Sequence, residues 1–237
     1  MGQYAAMKAR GGKQRIPRPV GWQLGIEAPW YRDAAAMPSL SLAEVRRRLA
    51  ELPPARPVPE IALERRASAV LVPLFEEAGV ARLILTKRPE TMPSHQGEIA
   101  FPGGKFEPAL DADLRATALR EAREEIGLDP AAVEIVAELD GIGTVASRFV
   151  IDPFVGVLDS RPALRPDQRE VVRVFDVGLA ELLAPGVHHS ERWRTGAGRS
   201  ETPVELEVHF FDLADETIWG ATARILYGFL HHLVADV

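Results

Sequence analysis

The sequence predicts an α+β fold, a mixed β-sheet sandwiched between α-helices. Three observations predict it. Short apolar runs bounded by Gly, Pro and Asp recur along the chain, as strands do. A helix ending near Ile126 separates two groups of these runs, with Leu114, Ala118, Ala122 and Ile126 along one face. The order strands, helix, strands, helix is that of the α+β class.

Each element has its own local reason. Residues 1–60 read as an N-terminal extension, and residues 61–237 as the main domain. Residues 1–20 carry Lys8, Arg10, Lys13, Arg15 and Arg18 without an acid, which is the composition of a flexible basic tail. Trp22, Trp30 and Tyr31 follow, then an accessory helix. Ser41 is placed to cap that helix and Glu44 to complete a capping box. Leu42, Val45, Leu49 and Leu52 give it one apolar stripe, and Pro53, Pro54, Pro57 and Pro59 end it. Residues 67–74 read as a buried strand, turned at Gly79 into a partner over 82–88. His95 to Gly104 reads as loop with a short strand. Asp111 or Asp113 caps the next helix, and Gly127 and Pro130 terminate it. Strands are expected near 133–142, 149–158 and 169–175, and a short helix at 179–184. A hairpin over 187–193 and 204–212 surrounds the polar loop 195–203. The last helix, 219–235, carries Ile225, Leu226, Phe229 and Leu233 on one face.

Composition narrows the function classes. The chain has 46% hydrophobic and 26% charged residues, enough for a sizeable core. A net charge of −6 argues against nonspecific binding to nucleic acid, which needs a basic surface. The absence of cysteine excludes disulfides, thiolate catalysis and cysteine-bound zinc. No apolar run reaches the ~18 residues of a membrane span, and the first 18 residues lack the apolar stretch of a secretory signal. The cytoplasm is the expected compartment.

Chemistry concentrates between Gly103 and Leu128. A Gly-Gly turn precedes a helix that carries Glu121, Glu124 and Glu125. At 100° per residue these three carboxylates span roughly 100° of one face. Like charges so close repel, and a divalent cation converts the repulsion into a binding site. Hard oxygen donors suit Mg²⁺ or Mn²⁺ joined to substrate phosphates. Two pairs, His188-His189 and His231-His232, have the look of metal pairs, but adjacent residues in a strand or helix point apart.

Nine consecutive residues, Arg120 to Leu128, resemble the Nudix box, G-x5-E-x7-R-E-U-x-E-E-x-G-U, where U is bulky and aliphatic. Ala122 is small for its U. The first half departs: Gly104 to Arg120 is two residues longer than the pattern, and Ala112 stands in the Glu position, flanked by Asp111 and Asp113. The lengthened loop is similar to the coenzyme A pyrophosphatase branch. That branch has an upstream signature, L-L-T-x-R-(S/A)-x3-R-x3-G-x3-F-P-G-G. This chain supplies Thr86, Arg88, Gly97 and Phe101-Pro102-Gly103-Gly104 at that spacing, with Pro89 and Pro93 in place of the small residue and the second Arg. Ile218 to Arg224 resembles the C-terminal segment of the same branch.

The resemblance implies a Nudix-type fold and hydrolysis of a nucleoside diphosphate derivative, most directly coenzyme A, to 3′,5′-ADP and 4′-phosphopantetheine. It implies Glu121 and Glu125 as ligands of Mg²⁺ or Mn²⁺, with Glu124 as third ligand or base and the Gly104 carbonyl completing the shell. Arg120 would orient the carboxylates. Glu170, in the loop before a strand, would supply a further metal-binding or base carboxylate. Arg88, His95 and Glu98 surround the approach to the FPGG turn, with Arg88 as a phosphate contact. A homodimer is common in the family. The alternatives are ADP-ribose, NADH or a dinucleoside polyphosphate as substrate, or a Nudix-fold binding module without catalysis.

Overall fold

The computed structural model describes residues 10–30, 40–58, 66–92, 94–144, 149–195 and 204–234. Residues 1–9, Tyr31, Pro59, Pro93 and the loop 196–203 lie outside the described residues. In chain order the elements are β1 (Gln23–Leu24), α1 (Leu42–Leu49), β2 (Arg66–Glu77), β3 (Val80–Lys87), β4 (Ile99–Ala100) and β5 (Gly103–Lys105). Then come α2 (Leu114–Ile126), a 3-10 turn (Pro130–Ala132), β6 (Glu134–Glu138), β7 (Ile142–Gly143), β8 (Phe149–Val157) and β9 (Arg173–Gly178). The chain continues with α3 (Leu179–Leu182), β10 (His188–Thr195), β11 (Val204–Asp212), β12 (Thr217–Trp219) and α4 (Gly220–Val234). Two compact units result. One is residues 39–179; the other joins residues 1–38 to 180–237.

The 39–179 unit is built on a mixed eight-stranded sheet. Its main path is β4-β3-β2-β8-β6, with β5 on β2, β7 on β8 and β9 on β3. Strands β2 and β8 run parallel from Arg66↔Phe149 to Leu74↔Val157. A parallel pair needs a long crossover, and here the crossover contains α2. Alternation along β2 divides the core. Ala69, Leu71 and Phe75 join Ala118, Ala122 and Ile126 of α2 in one buried cluster. Leu114 packs against it, so the expected stripe of α2 is the observed one. Val72 and Leu74 alternate with that set and are also fully buried. Helix α1 packs on β2, β3 and β6 and buries Val45 and Leu49. Ser41 caps it, its hydroxyl accepting from the Glu44 N–H at 3.3 Å.

The other unit holds an antiparallel four-stranded sheet ordered β1-β10-β11-β12. Helix α4 packs on β11 and β12 and buries Leu226, Phe229, Leu230 and Leu233. The expected tail differs from what is found over its described part. Gly11 N–H donates to the Leu213 carbonyl at 2.7 Å. Arg18 Nε donates to buried Glu191 at 2.8 Å, and its guanidinium lies over the Phe210 ring. A buried carboxylate needs a partner, and the basic segment supplies it. The contacts therefore divide the chain elsewhere than at residue 60: residues 10–30 belong with the C-terminal sheet, and α1 belongs with the 39–179 unit. His188 and His189 point apart. The first meets His209 at 3.2 Å, whereas the second stacks on Phe210 with centroids 4.8 Å apart.

Strand β9 starts later than expected. Residues 167–170 form a turn instead, with Glu170 and Val171 N–H groups both donating to the Asp167 carbonyl. Gly127 ends α2 in the left-handed region, at φ +67°. A Cβ there would also lie 3.1 Å from the Arg165 carbonyl oxygen. Gly127→Ala is expected to lower stability by about 1–2 kcal/mol, read as a lower urea midpoint with unchanged m-value.

Candidate active site

Helix α2 begins at Asp113, whose carboxylate accepts from the Ala116 N–H at 2.8 Å. That settles the cap and frees Asp111 for another task. Asp111 is 5% exposed. It accepts Arg120 Nε at 2.7 Å and Nη2 at 3.0 Å, the Thr117 hydroxyl at 2.9 Å and the Glu107 N–H at 3.0 Å. The hydrogen bonds from Arg120 lead in holding its carboxyl down at about 2. Ala112 leaves the box position without a carboxylate, and Asp111, one residue earlier, takes the arginine.

Arg120 in turn braces the acids of α2. Its Nη1 donates to Glu124 at 2.9 Å, and its Nη2 lies 3.0 Å from Glu121 and donates to the Lys105 carbonyl at 3.1 Å. One guanidinium thus ties the loop, the helix and β5 together. Planar five-donor geometry makes this an arginine task that lysine cannot reproduce.

The two glycines expected as a turn are strand instead: Gly103 and Gly104 open β5, paired to Val70 and Ala69 of β2, and meet these acids from the sheet side. A Cβ on Gly104 would fall 2.4 Å from the Glu121 carboxylate. Only glycine lets the main chain pass that close. The Gly103 N–H donates to Glu125 at 3.2 Å. Glu125 is 4% exposed, and its other oxygen lies 3.9 Å from Arg88 Nη1. Desolvation dominates there and pushes the carboxyl up to about 8, against the Gly103 hydrogen bond and the Arg88 charge. Burial raises Glu121 as well. Glu124 is more exposed than either.

Glu170 reaches the same place through backbone contacts. The Arg165 and Asp167 N–H groups donate to the Ile126 and Glu125 carbonyls at 2.8 and 2.9 Å. These are orphan acceptors at the end of α2, so the loop is docked on the helix terminus. The negative charge of Glu170 adds to the upward push on both Glu121 and Glu125.

Arg88 follows β3, and its N–H donates to the Glu98 carbonyl at 3.0 Å. Its Nε is buried and has no hydrogen-bond partner among the described residues. A guanidinium beside a carboxylate is suited to hold an anion as well. His95 Nδ1 and a Glu98 oxygen are 2.8 Å apart, and that bond raises the imidazole's pKa. Thus Gly104, Glu121, Glu125, Glu170 and Arg88 are brought together, Arg120 and Glu124 adjoin them, and His95 and Glu98 pair on the loop after β3. Asp111's role was the least legible in the sequence. Its signal was an acid next to the vacant box position.

Comparisons with known proteins show the family. The NUDIX domain model matches residues 65–197. The chain belongs to the Nudix family of hydrolases, which act on phosphorus-containing acid anhydrides. Nudix hydrolase 22, chloroplastic, of Arabidopsis thaliana is 42% identical over 68% of this chain. The alignment spans only 53% of that longer plant protein. An uncharacterized Nudix hydrolase, NudL, of Cronobacter sakazakii is 35% identical over 69% of this chain and 81% of its own length. A crystal structure of a MutT/nudix family protein from Enterococcus faecalis matches with TM-score 0.50 at 17% identity, covering 90% of this chain and 76% of that one. It supports the Nudix fold. No helix among the described residues is long and apolar enough to cross a membrane.

The residues fit a divalent cation. Two desolvated carboxylates with raised pKa values face each other's charge, with a third acid nearby. Among the described residues no group of three His, Asp or Glu side chains is arranged to hold a metal ion by itself. Mg²⁺ takes one or two carboxylates and completes its shell with water and substrate phosphate, so the protein's share here would be the Glu121 and Glu125 pair.

Two pH effects follow. A depressed Asp111 stabilises the fold above the ordinary carboxylate range, and that contribution is lost as pH falls through about 2. Asp111→Ala should cost about 1–3 kcal/mol at neutral pH by removing the acceptor of Arg120 Nε, and should flatten the acid limb of a stability–pH curve. Glu125 has the opposite sign. Its folded pKa is raised, so stability is full below the ordinary value and falls as pH rises through about 8. Metal-free Glu125→Gln should therefore melt several degrees above wild type at pH 8, with little difference at pH 4.

Proposed function

We propose that this protein is a metal-dependent diphosphatase of coenzyme A or a coenzyme A derivative. The products would be 3′,5′-ADP and 4′-phosphopantetheine, or an acyl-phosphopantetheine from an acyl thioester. One observation carries the reading. The elements of the branch signature meet the carboxylates: Arg88 lies 3.9 Å from Glu125, and Gly103 of the FPGG turn donates to the same side chain.

Glu121 and Glu125 would hold Mg²⁺ or Mn²⁺, with Glu124 and the Gly104 carbonyl as further oxygen donors. The bound ions would neutralise the diphosphate and acidify the attacking water. Arg88, whose Nη1 lies 3.9 Å from Glu125, would contact a phosphate oxygen. Arg120 keeps Glu121 and Glu124 in place and is itself held by Asp111. Glu124 or Glu170 would take the proton from water, the other serving as a further metal ligand. His95 and Glu98 border the approach. Positioned charge of this kind supplies most of the rate in phosphoryl transfer. A cytoplasmic homodimer completes the proposal; the cysteine-free composition fits a reducing compartment.

Pro93, where the branch signature has arginine, favours a second reading in which the substrate is ADP-ribose, NADH or a dinucleoside polyphosphate. A binding module without catalysis fits less well, because the acids and their arginine brace are all in place. Incubation with coenzyme A, ADP-ribose, NADH and diadenosine tetraphosphate, with Mg²⁺ or Mn²⁺, separates these readings by chromatography of the products. Coenzyme A should have the highest kcat/KM, and Glu125→Gln should lower kcat by roughly 10²-fold or more. No cleavage of coenzyme A at micromolar enzyme would reject the first reading.

A further inference from the structure

Strand β1 is the outermost strand of the four-stranded sheet, and β10 is its one partner strand among the described residues. The pairing sets Gln23 opposite Arg192 and Leu24 opposite Glu191. Next along, the Gly25 N–H donates to the Ser190 carbonyl at 2.8 Å. Hydrogen-bonded and non-hydrogen-bonded pairs alternate in an antiparallel ladder. With residue 25 bonded to β10, the N–H and C=O of Leu24 therefore point away from it, along the outer edge.

The side chains of this edge are apolar. Six large apolar residues are exposed among the described residues, and four of them fall here: Val20, Trp22, Leu24 and Ile26. Trp22, Leu24 and Ile26 have the two-residue spacing of one strand face, and Val20 stands in the turn before them. Ile26 is 67% exposed and Val20 fully so. Folded proteins ordinarily guard such an edge with charge or proline. From Val20 to Ile26 this one carries neither; the nearest charges are Arg18 and Glu27.

We propose that β1 is the surface on which a second copy of this chain docks. The two β1 edges pair antiparallel about a two-fold axis at Leu24 and join two four-stranded sheets into one of eight strands. Leu24 then meets Leu24 of the partner subunit, and each exchanges N–H and C=O with the other. Trp22 lies opposite Ile26 of the partner subunit, an aromatic and a β-branched side chain, which is a favourable cross-strand pair. The segment is self-complementary, as a two-fold contact requires, and no charge faces its like across the axis. A lipid surface would also cover the apolar side chains, but it would leave the outward N–H and C=O of Leu24 unbonded, and the chain's net charge of −6 opposes an anionic one. The pairing gives the homodimer proposed above its surface and is independent of the substrate.

One strand edge is less than the about 800 Å² that each partner of a standard interface buries, so dissociation should fall in the micromolar range. Sedimentation velocity of the full chain from about 1 to 200 µM should show dimer growing with concentration. Leu24→Lys sets like charges opposite each other at the axis and should raise the dissociation constant tenfold or more. The chain has no cysteine, so Leu24→Cys introduces a single thiol. Opposed residues of a hydrogen-bonded pair have Cα atoms about 5.5 Å apart, within disulfide reach, and mild oxidation should give a covalent dimer. Gln23→Cys, on the same exposed strand, would have its counterpart roughly 8 Å away and should crosslink at least tenfold more slowly. A monomer at every concentration, with no disulfide from Leu24→Cys, overturns the pairing; recovery of that monomer on vesicles of anionic phospholipid would assign the edge to a membrane instead. A dimer that Leu24→Lys leaves unchanged and Leu24→Cys does not crosslink keeps the homodimer and rejects this surface. Neither measurement uses a substrate, so their failure leaves the coenzyme A reading standing.

Discussion

Arg120 is the contact on which the rest of the site depends. Four groups converge on its guanidinium: the carboxylates of Asp111, Glu121 and Glu124 and the Lys105 carbonyl. They come from the loop, the helix and β5. Without that cation, three acids on one helical face would repel, and the loop entering α2 would lose its anchor. The lengthened loop is tolerated because closure entropy grows slowly with length and because Asp111 restores the arginine's partner. What matters at the vacant box position is a carboxylate at the right place in space. The chain supplies it one residue off in sequence.

Arg120 compensates only part of the charge. Glu125 sits deeper, with one N–H and a distant Arg88 as its partners, and desolvation outweighs both. An uncompensated buried acid is costly to a fold that is stable by only a few kcal/mol. Such acids are retained where a ligand supplies the missing charge. The under-compensated Glu125 and the cationic Arg88 beside it are complementary to a cation and an anion respectively. A metal-bound diphosphate carries both.

Much of this was legible in the residues. The stripe Leu114, Ala118, Ala122, Ile126 located the core face of α2, and the Glu triad beside it located the acids. Both follow from helical periodicity, which is local. The caps at Ser41, Asp113 and Gly127 were legible for the same reason. What was not legible depends on distant pairing. The basic run at Arg10 to Arg18 has the composition of a tail, and nothing nearby in sequence reveals that buried Glu191 lies across from Arg18. The parallel β2–β8 pair, and Glu170's approach to Glu121, are likewise set by a crossover and a docked loop. The apolar run at Val171 and Val172 begins before β9 does, because the turn at Asp167 still holds the Val171 N–H.

The docked loop also ties the acids of α2 to the start of β9. Arg165 and Asp167 close the orphan carbonyls of α2, so the helix that carries the acids fixes the position of Glu170 on one side of Val171 and of Val172 on the other. A change of side chain at Leu164 or Val172 leaves the hydrogen bonds that hold Glu170 untouched, because those bonds are made by backbone. The position of this acid is therefore set by main-chain groups at the end of α2 and not by the side chains of the loop that carries it.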